Sequence, residues 1–336
     1  MPWWVKGVLS LVVLALSIWF VLVPQLPGGE RALASLRMVS LPLILVATAL
    51  EAASLVAYSA LTACLLGRGR PRYPILLGVD LTALGLSHVL PAGGATAAAM
   101  RVRLLTLTGT RAGDALTAAA MEATGVNLML GVIFGIGVAV SLTSVGDNPY
   151  YRSAAIGVLV LLVLAALGIW VLTRHTGRAV ELSAVIGRRL PFLTAKGAQS
   201  FTRGAARRVR DMLTDPRRLT VALLLAAANW LLDASALWIM LAAFGQLVPI
   251  GPLLTVYGVG NILAVMPLTP GGIGVVEAVM VSGLVGFGIP QPAAVLGVVG
   301  WRVLEFWLPI PAAAAAYLSL RFGALRRTGH LEIRER

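Results

Sequence analysis

A single cysteine, Cys64, rules out a disulfide within this 336-residue chain and any multi-cysteine metal site. Histidine is almost as scarce. His88, His175 and His330 lie far apart and only His88 has acids nearby in an apolar stretch, so no metal centre is expected. No Ser–His–acid arrangement, P-loop or zinc motif occurs, which leaves no catalytic motif and no call for a cofactor. Charge of any sign is sparse: 12% of residues are charged and 58% are hydrophobic, with a mean hydropathy of +0.89. Such a chain cannot expose a soluble surface, and its apolar runs exceed the roughly 20 residues that cross a bilayer. The composition specifies an all-α polytopic membrane protein.

The charge that is present is lopsided. A net charge of +13 and a pI near 11.2 would suggest nucleic acid for a soluble protein. Here the arginines lie mostly between apolar runs, which makes them a topology signal and excludes nucleic acid as the expected partner. Apolar runs at 4–24, 38–66, 113–143, 152–173, 218–245 and 291–320 predict six transmembrane helices. The first is followed by PQLPGG, not by a small-residue cleavage site, and reads as an uncleaved helix.

Two further apolar segments, 73–108 and 252–286, are broken by proline and glycine in LPAGG and LTPGGIG. Each either crosses the membrane or enters and leaves on one face as a re-entrant hairpin. With both re-entrant and the N-terminus cytoplasmic, 23 of the 27 basic residues fall inside, Arg31, Arg37 and Arg152 fall outside, and Arg302 lies within the membrane. Crossing hairpins would instead place the basic 174–218 segment outside, against the positive-inside bias. The expected protein is therefore a cell-membrane protein with both termini cytoplasmic. Residues 38–145 and 218–322 then form two units of span, hairpin and span in opposite orientations, an inverted repeat. Gly67 aligns with Gly245, Glu51 with Asn229, and Gly93 and Gly94 with Gly271 and Gly272; Pro91 with Pro267 and Glu122 with Arg302 need small shifts.

The stretch PGGIGVVE, followed about 25 residues later by WRVLEFWLP, resembles the transmembrane flippase region of lysylphosphatidylglycerol synthases and their stand-alone relatives. The likeness is strongest over 261–311 and looser in the first unit, through LPAGG and a following arginine. It implies a domain that moves a lipid between leaflets, an aminoacylated phosphatidylglycerol in the best-known members. Those synthases carry a soluble aminoacyltransferase domain after the membrane region, whereas this sequence runs only to a short charged tail at Arg336, so synthase activity is not expected.

The broken segments have a chemistry of their own. A helix that restarts behind a glycine pair begins with unpaired N–H groups and a partial positive charge, a site suited to phosphate. Gly93, Gly94, Gly271, Gly272 and Gly274 would let a headgroup approach, with Pro91 and Pro270 fixing the entry; the same residues would equally make tight packing turns. Each ionisable residue inside a span costs about 2.5–3.5 kcal/mol and so needs a partner or an aqueous cavity. Arg101 and Arg302 are candidates to bind an anionic headgroup, with Glu122 and Glu277 holding them. Glu51, Asp80, His88, Asp233 and Glu305 are candidate charge partners or proton relays. Arg302 and Glu305, three residues apart, would also form a local ion pair with no further role.

The basic segment 174–217 reads as amphipathic helices on the cytoplasmic face, broken near Pro191, that anchor the topology or attract anionic lipid. The expected function is a flippase or lipid-binding transporter for an anionic lipid of phospholipid or polyprenyl-phosphate type. The alternatives are a membrane-embedded transferase using a lipid-linked donor and a non-transporting partner of a separate lipid-modifying enzyme.

Overall fold

The computed structural model describes residues 40–67, 69–90, 93–145, 160, 163, 166–189, 195–265 and 270–323. The span expected at 4–24, most of that at 152–173, Pro91, Pro267, the break at Pro191 and the C-terminal tail lie outside them. The described residues are helical almost throughout, with no strand among them. They form α1 (Leu41–Leu66), α2 (Tyr73–Val89), α3 (Gly93–Leu107), α4 (Ala112–Val145), α5 (Thr176–Arg189), α6 (Ala195–Thr214), α7 (Pro216–Ala243), α8 (Ile250–Val265), α9 (Val275–Gly286), α10 (Gln291–Arg302) and α11 (Pro309–Phe322). A five-residue π-helical turn, Val303–Trp307, joins α10 to α11. Among the described residues α1, α4, α7 and the α10–α11 rod are long and apolar enough to cross a membrane, whereas α2, α8 and α9 are apolar but shorter.

Local chemistry sets the ends. Proline in the first turn of α1, α2, α7 and α10 costs nothing, because its missing N–H would have no helical partner there. Asp215 caps α7 by accepting from the Arg218 N–H at 3.1 Å. Glycine closes four helices in matched pairs. Gly67 (φ 70°) ends α1 and Gly245 (φ 77°) follows α7; Gly109 (φ 95°) follows α3 and Gly288 (φ 89°) follows α9. The last two share one hydrogen-bond pattern, with Thr110 N–H on Leu105 O at 3.0 Å and Ile289 N–H on Leu284 O at 3.1 Å. Only glycine takes such left-handed angles without strain, so these positions end the helices sharply.

The packing is reciprocal. Helix α1 lies antiparallel on α7: Arg218 reaches Cys64, Asn229 meets Ser54, and Leu237 shares a core with Ala47. Arg218 and Arg208 donate to the last carbonyls of α1, at Cys64 and Leu65, and so satisfy acceptors the helix cannot, while Arg70 adds a bond to the Ala63 carbonyl that the Gly67 N–H already reaches. Helix α2, the first arm of the first broken segment, packs on α11, and α8, the first arm of the second, packs on α4. Both contacts are antiparallel and close. A Cβ added at Gly85 would lie 2.3 Å from the Ala313 Cβ, and one at Gly137 would lie 2.7 Å from the Thr255 N. In a membrane, where water drives no hydrophobic association between helices, such close backbone approach is a main source of attraction.

Candidate functional site

Two buried arginines each hold two carboxylates. Arg101, on α3, donates from Nη2 to both oxygens of Glu122 at 2.7 and 2.6 Å, and its Nε lies 2.8 Å from Asp80 Oδ1. Its Nη2 also donates to Thr62 Oγ1 and its Nη1 to the Tyr58 hydroxyl at 3.2 Å. The Thr62 hydroxyl donates on to Glu122 at 2.9 Å. Arg101, Asp80 and Glu122 are 5%, 2% and 0% exposed, so the guanidinium is spent on neighbours inside the protein.

Arg302, at the end of α10, is held the same way. Its Nε donates to Glu277 at 2.7 Å, Nη1 to Glu305 at 2.9 Å and Nη2 to the Gly271 carbonyl at 2.9 Å, and its plane lies 4.6 Å from the Phe306 ring centroid. In the first unit the arm after the break supplies the arginine and the next helix the acid; in the second unit the signs are exchanged. The local Arg302–Glu305 pair is present, but as one limb of this larger clamp.

The turn at 270–274 differs from the expected headgroup seat. Pro270–Gly272 form a 3₁₀ turn with Gly271 at φ 60°. A Cβ on Gly271 would sit 2.1 Å from Phe306 Cε2, and one on Gly272 2.7 Å from Val276 Cγ2, so both faces are filled by protein. Gly274 is open, yet its N–H donates to Glu277 Oε2 at 2.7 Å. A carboxylate of the chain already stands where a phosphate would. In this arrangement Gly271 and Gly272 lie in a tightly packed turn, and Glu277 both holds Arg302 and accepts from the Gly274 N–H. His88 is likewise structural: its Nδ1 lies 2.9 Å from Phe306 O and its ring stacks on Phe306 at 4.2 Å.

The open space lies elsewhere. A cavity of about 360 Å³ is enclosed by α1, α2, α3, α4, α7, α8 and the π turn. Each wall is one helical face: Glu51, Ser54, Leu55 and Tyr58 on α1; Asp80, Ala83, Leu84 and Ser87 on α2; Gly94, Ala97, Ala98 and Arg101 on α3; Ala119, Ala123 and Val126 on α4; Asn229, Trp230 and Asp233 on α7. Asn261 and Glu305 complete it. Small residues on α3 and α4 leave the room, and four carboxyl groups face it against one guanidinium already engaged. The cavity is acidic. Asp233 accepts from Tyr257 Oη at 2.8 Å and Trp301 Nε1 at 2.6 Å. Glu122, fully buried with both oxygens on Arg101, also borders an apolar cavity of about 450 Å³ lined by α1, α4, α6 and α7, so the Arg101–Glu122 pair lies between a polar space and an apolar one.

Of the expected residues, the cavity gathers Glu51, Asp80, Gly94, Arg101, Asp233 and Glu305, while Glu122, Glu277, Arg302 and His88 stand behind its walls; Gly93 begins α3. Tyr58, Ser54, Asn229 and Asn261 on the walls, and Thr62, Tyr257 and Trp301 behind them, were not anticipated. Glu51, Ser54, Tyr58 and Thr62 recur at three-, four- and four-residue steps, a polar stripe on an otherwise apolar helix that the sequence displays. Tyr257 and Trp301 are fully buried and polar at one end, which itself demands a partner.

Membrane-length helices, broken helices and charge buried among them define a multi-pass membrane protein with an internal polar chamber. The chain belongs to the lysylphosphatidylglycerol synthase TM region family, whose model matches residues 4–313 of its 336, and this ties it to the handling of membrane lipid. No curated protein matches the chain.

Proposed function

We propose that this protein is a lipid transporter of the flippase kind that admits a phospholipid headgroup to the acidic cavity, without catalysing a reaction on it. The observation that carries the reading is the pairing of a polar and an apolar cavity across the Arg101–Glu122 pair, which matches the two ends of a lipid. A simple anion fits this chamber poorly, because Arg101 is neutralised by Asp80 and Glu122, and Glu51 and Asp233 face inward with no arginine on either among the described residues. A headgroup that carries an amine beyond its phosphate fits better, with the ammonium toward Glu51 and Asp233. An aminoacylated phosphatidylglycerol, the lipid implied by the family resemblance, has that form.

Two re-entrant hairpins in an inverted repeat fit the reciprocal contacts of α2 with α11 and α8 with α4, the antiparallel α1–α7 pair and the matched glycine ends. In such transporters the site lies between the repeats near the bilayer midplane, and this cavity takes walls from both units. A cell-membrane protein with Arg111 and the α5–α6 segment on the cytoplasmic side follows from the basic-residue bias.

The test is lipid movement in proteoliposomes of the purified protein, with labelled aminoacylated phosphatidylglycerol, phosphatidylglycerol and phosphatidylethanolamine assayed separately. Ala98→Trp, which fills the cavity from α3, should leave the protein folded and stop movement of the amine-bearing lipids. Unchanged movement in that variant would remove the cavity from the path. Formation of a new lipid product from a lipid-linked donor would favour the transferase.

A further inference from the structure

Glu51 on α1 and Asp233 on α7 face one cavity from adjacent antiparallel helices, one turn beyond the Ser54–Asn229 contact that fixes the register and sets the two carboxyl groups opposite each other. Asp233 is 6% exposed and each of its oxygens accepts a hydrogen bond, from Trp301 and from Tyr257, the environment of a fixed carboxylate. Glu51 Oε2 is buried with no hydrogen-bond partner. Among the described residues no lysine or arginine forms an ion pair with either acid. The other charged group acting on both is Glu305 on the π turn, itself held by Arg302, and it adds negative charge. The remaining neighbours are neutral or remote: Asn229 on α7, Tyr257 and Asn261 on α8 and Trp301 on α10, with His88 on α2 turned to the Phe306 carbonyl and Asp80 on α2 bound to Arg101.

Two carboxylates so placed cannot both be ionised away from water unless a cation joins them, and a shared proton is the smallest such cation.

We propose that Glu51 and Asp233 form a one-proton site, Glu51 donating to Asp233, whose proton exchanges with the cavity and couples lipid movement to the proton gradient. The balance is simple. On release, the Glu51 O–H bond breaks, the proton passes to cavity water, and the pair is left with two negative charges, one of which an entering ammonium group offsets in place of the proton; on departure of that group, a proton returns. The coupling rests on the transport reading above, whereas the proton site stands independently of it.

Infrared spectroscopy of the purified protein near neutral pH tests the site directly. The expected spectrum contains the carbonyl stretch of a protonated carboxylic acid, shifted in heavy water, lost in Glu51→Gln and retained in Glu122→Gln. Absence of this band from the parental protein, or its full persistence in Glu51→Gln, overturns the site. Should Glu51→Gln fail to fold, Asp233→Asn substitutes: replacing the accepting anion must shift the band, and an unmoved band overturns the pairing. Coupling is read on the parental protein alone, by lipid movement in proteoliposomes under an inward proton gradient, an outward one, and either collapsed by a protonophore. Rates that depend on gradient polarity are expected, and equal rates in all three conditions overturn coupling. If no lipid moves under any condition, the transport reading and the coupling fall together, and the infrared result alone decides the proton site.

Discussion

Each buried arginine here is best understood as the counter-charge shared by two carboxylates. Removing Arg101 would strand Asp80 and Glu122 without their counter-charge, so Arg101→Met should destabilise the detergent-solubilised protein by about 3–5 kcal/mol, read as a lowered thermal midpoint. The triple change Arg101→Met, Asp80→Asn, Glu122→Gln should recover most of that loss, since a neutralised cluster of similar volume is tolerated. The same logic corrects the simplest view of Arg302. Neutralising only Arg302 and Glu305 leaves Glu277 with no more than the Gly274 N–H, so that double variant should remain unstable until Glu277→Gln is added. Glycine makes a second comparison possible. Gly274→Ala meets open space and should be destabilising through its backbone alone, since φ 84° with ψ −42° lies outside the regions alanine adopts without strain. Gly271→Ala, which also drives a Cβ into Phe306, should cost more in the same melting experiment.

At the scale of elements, the broken helices decide the topology. In a Cys64→Ala background, Arg111→Cys should react with impermeant thiol reagents from one face only, and Leu247→Cys and Gln291→Cys only from the other. Arg111 and Gln291 labelling from the same face would mean that the broken segments cross the membrane. Much of this element order is legible in the sequence, because run length and the Pro–Gly breaks are local signals: α1, α4, α7 and the α10–α11 rod lie within a few residues of the expected spans, and the two arms of each broken segment fall where the glycines put them. The partnerships are not legible. Glu277 meets Arg302 across 25 residues, Arg101 meets Tyr58 across 43, and His88 reaches Phe306 across 218. Only the Arg302–Glu305 contact follows from helical spacing. An acid seen alone in an apolar run shows that it needs a partner without showing which one.

Across the whole molecule, neither unit completes itself. The first arm of each broken segment packs on the last helix of the other unit, and the final carbonyls of α1 are satisfied by arginines beyond residue 200. Residues 1–190 and 191–336 expressed as separate chains should therefore each be degraded alone and copurify when made together; a stable, protease-resistant first half by itself would contradict this interlocking. The arginine cap on α1 also carries a consequence in time. Arg218 lies 154 residues after the Cys64 carbonyl it serves, and at about 5–20 residues synthesised per second that interval is roughly 8–30 s. Throughout it the nascent α1 has bare carbonyls at the membrane surface and a carboxyl group, Glu51, with no Asp233 opposite. Until Arg218 emerges only water can serve that end, so slowing translation between these two residues should lower the share of protein that folds correctly in the membrane.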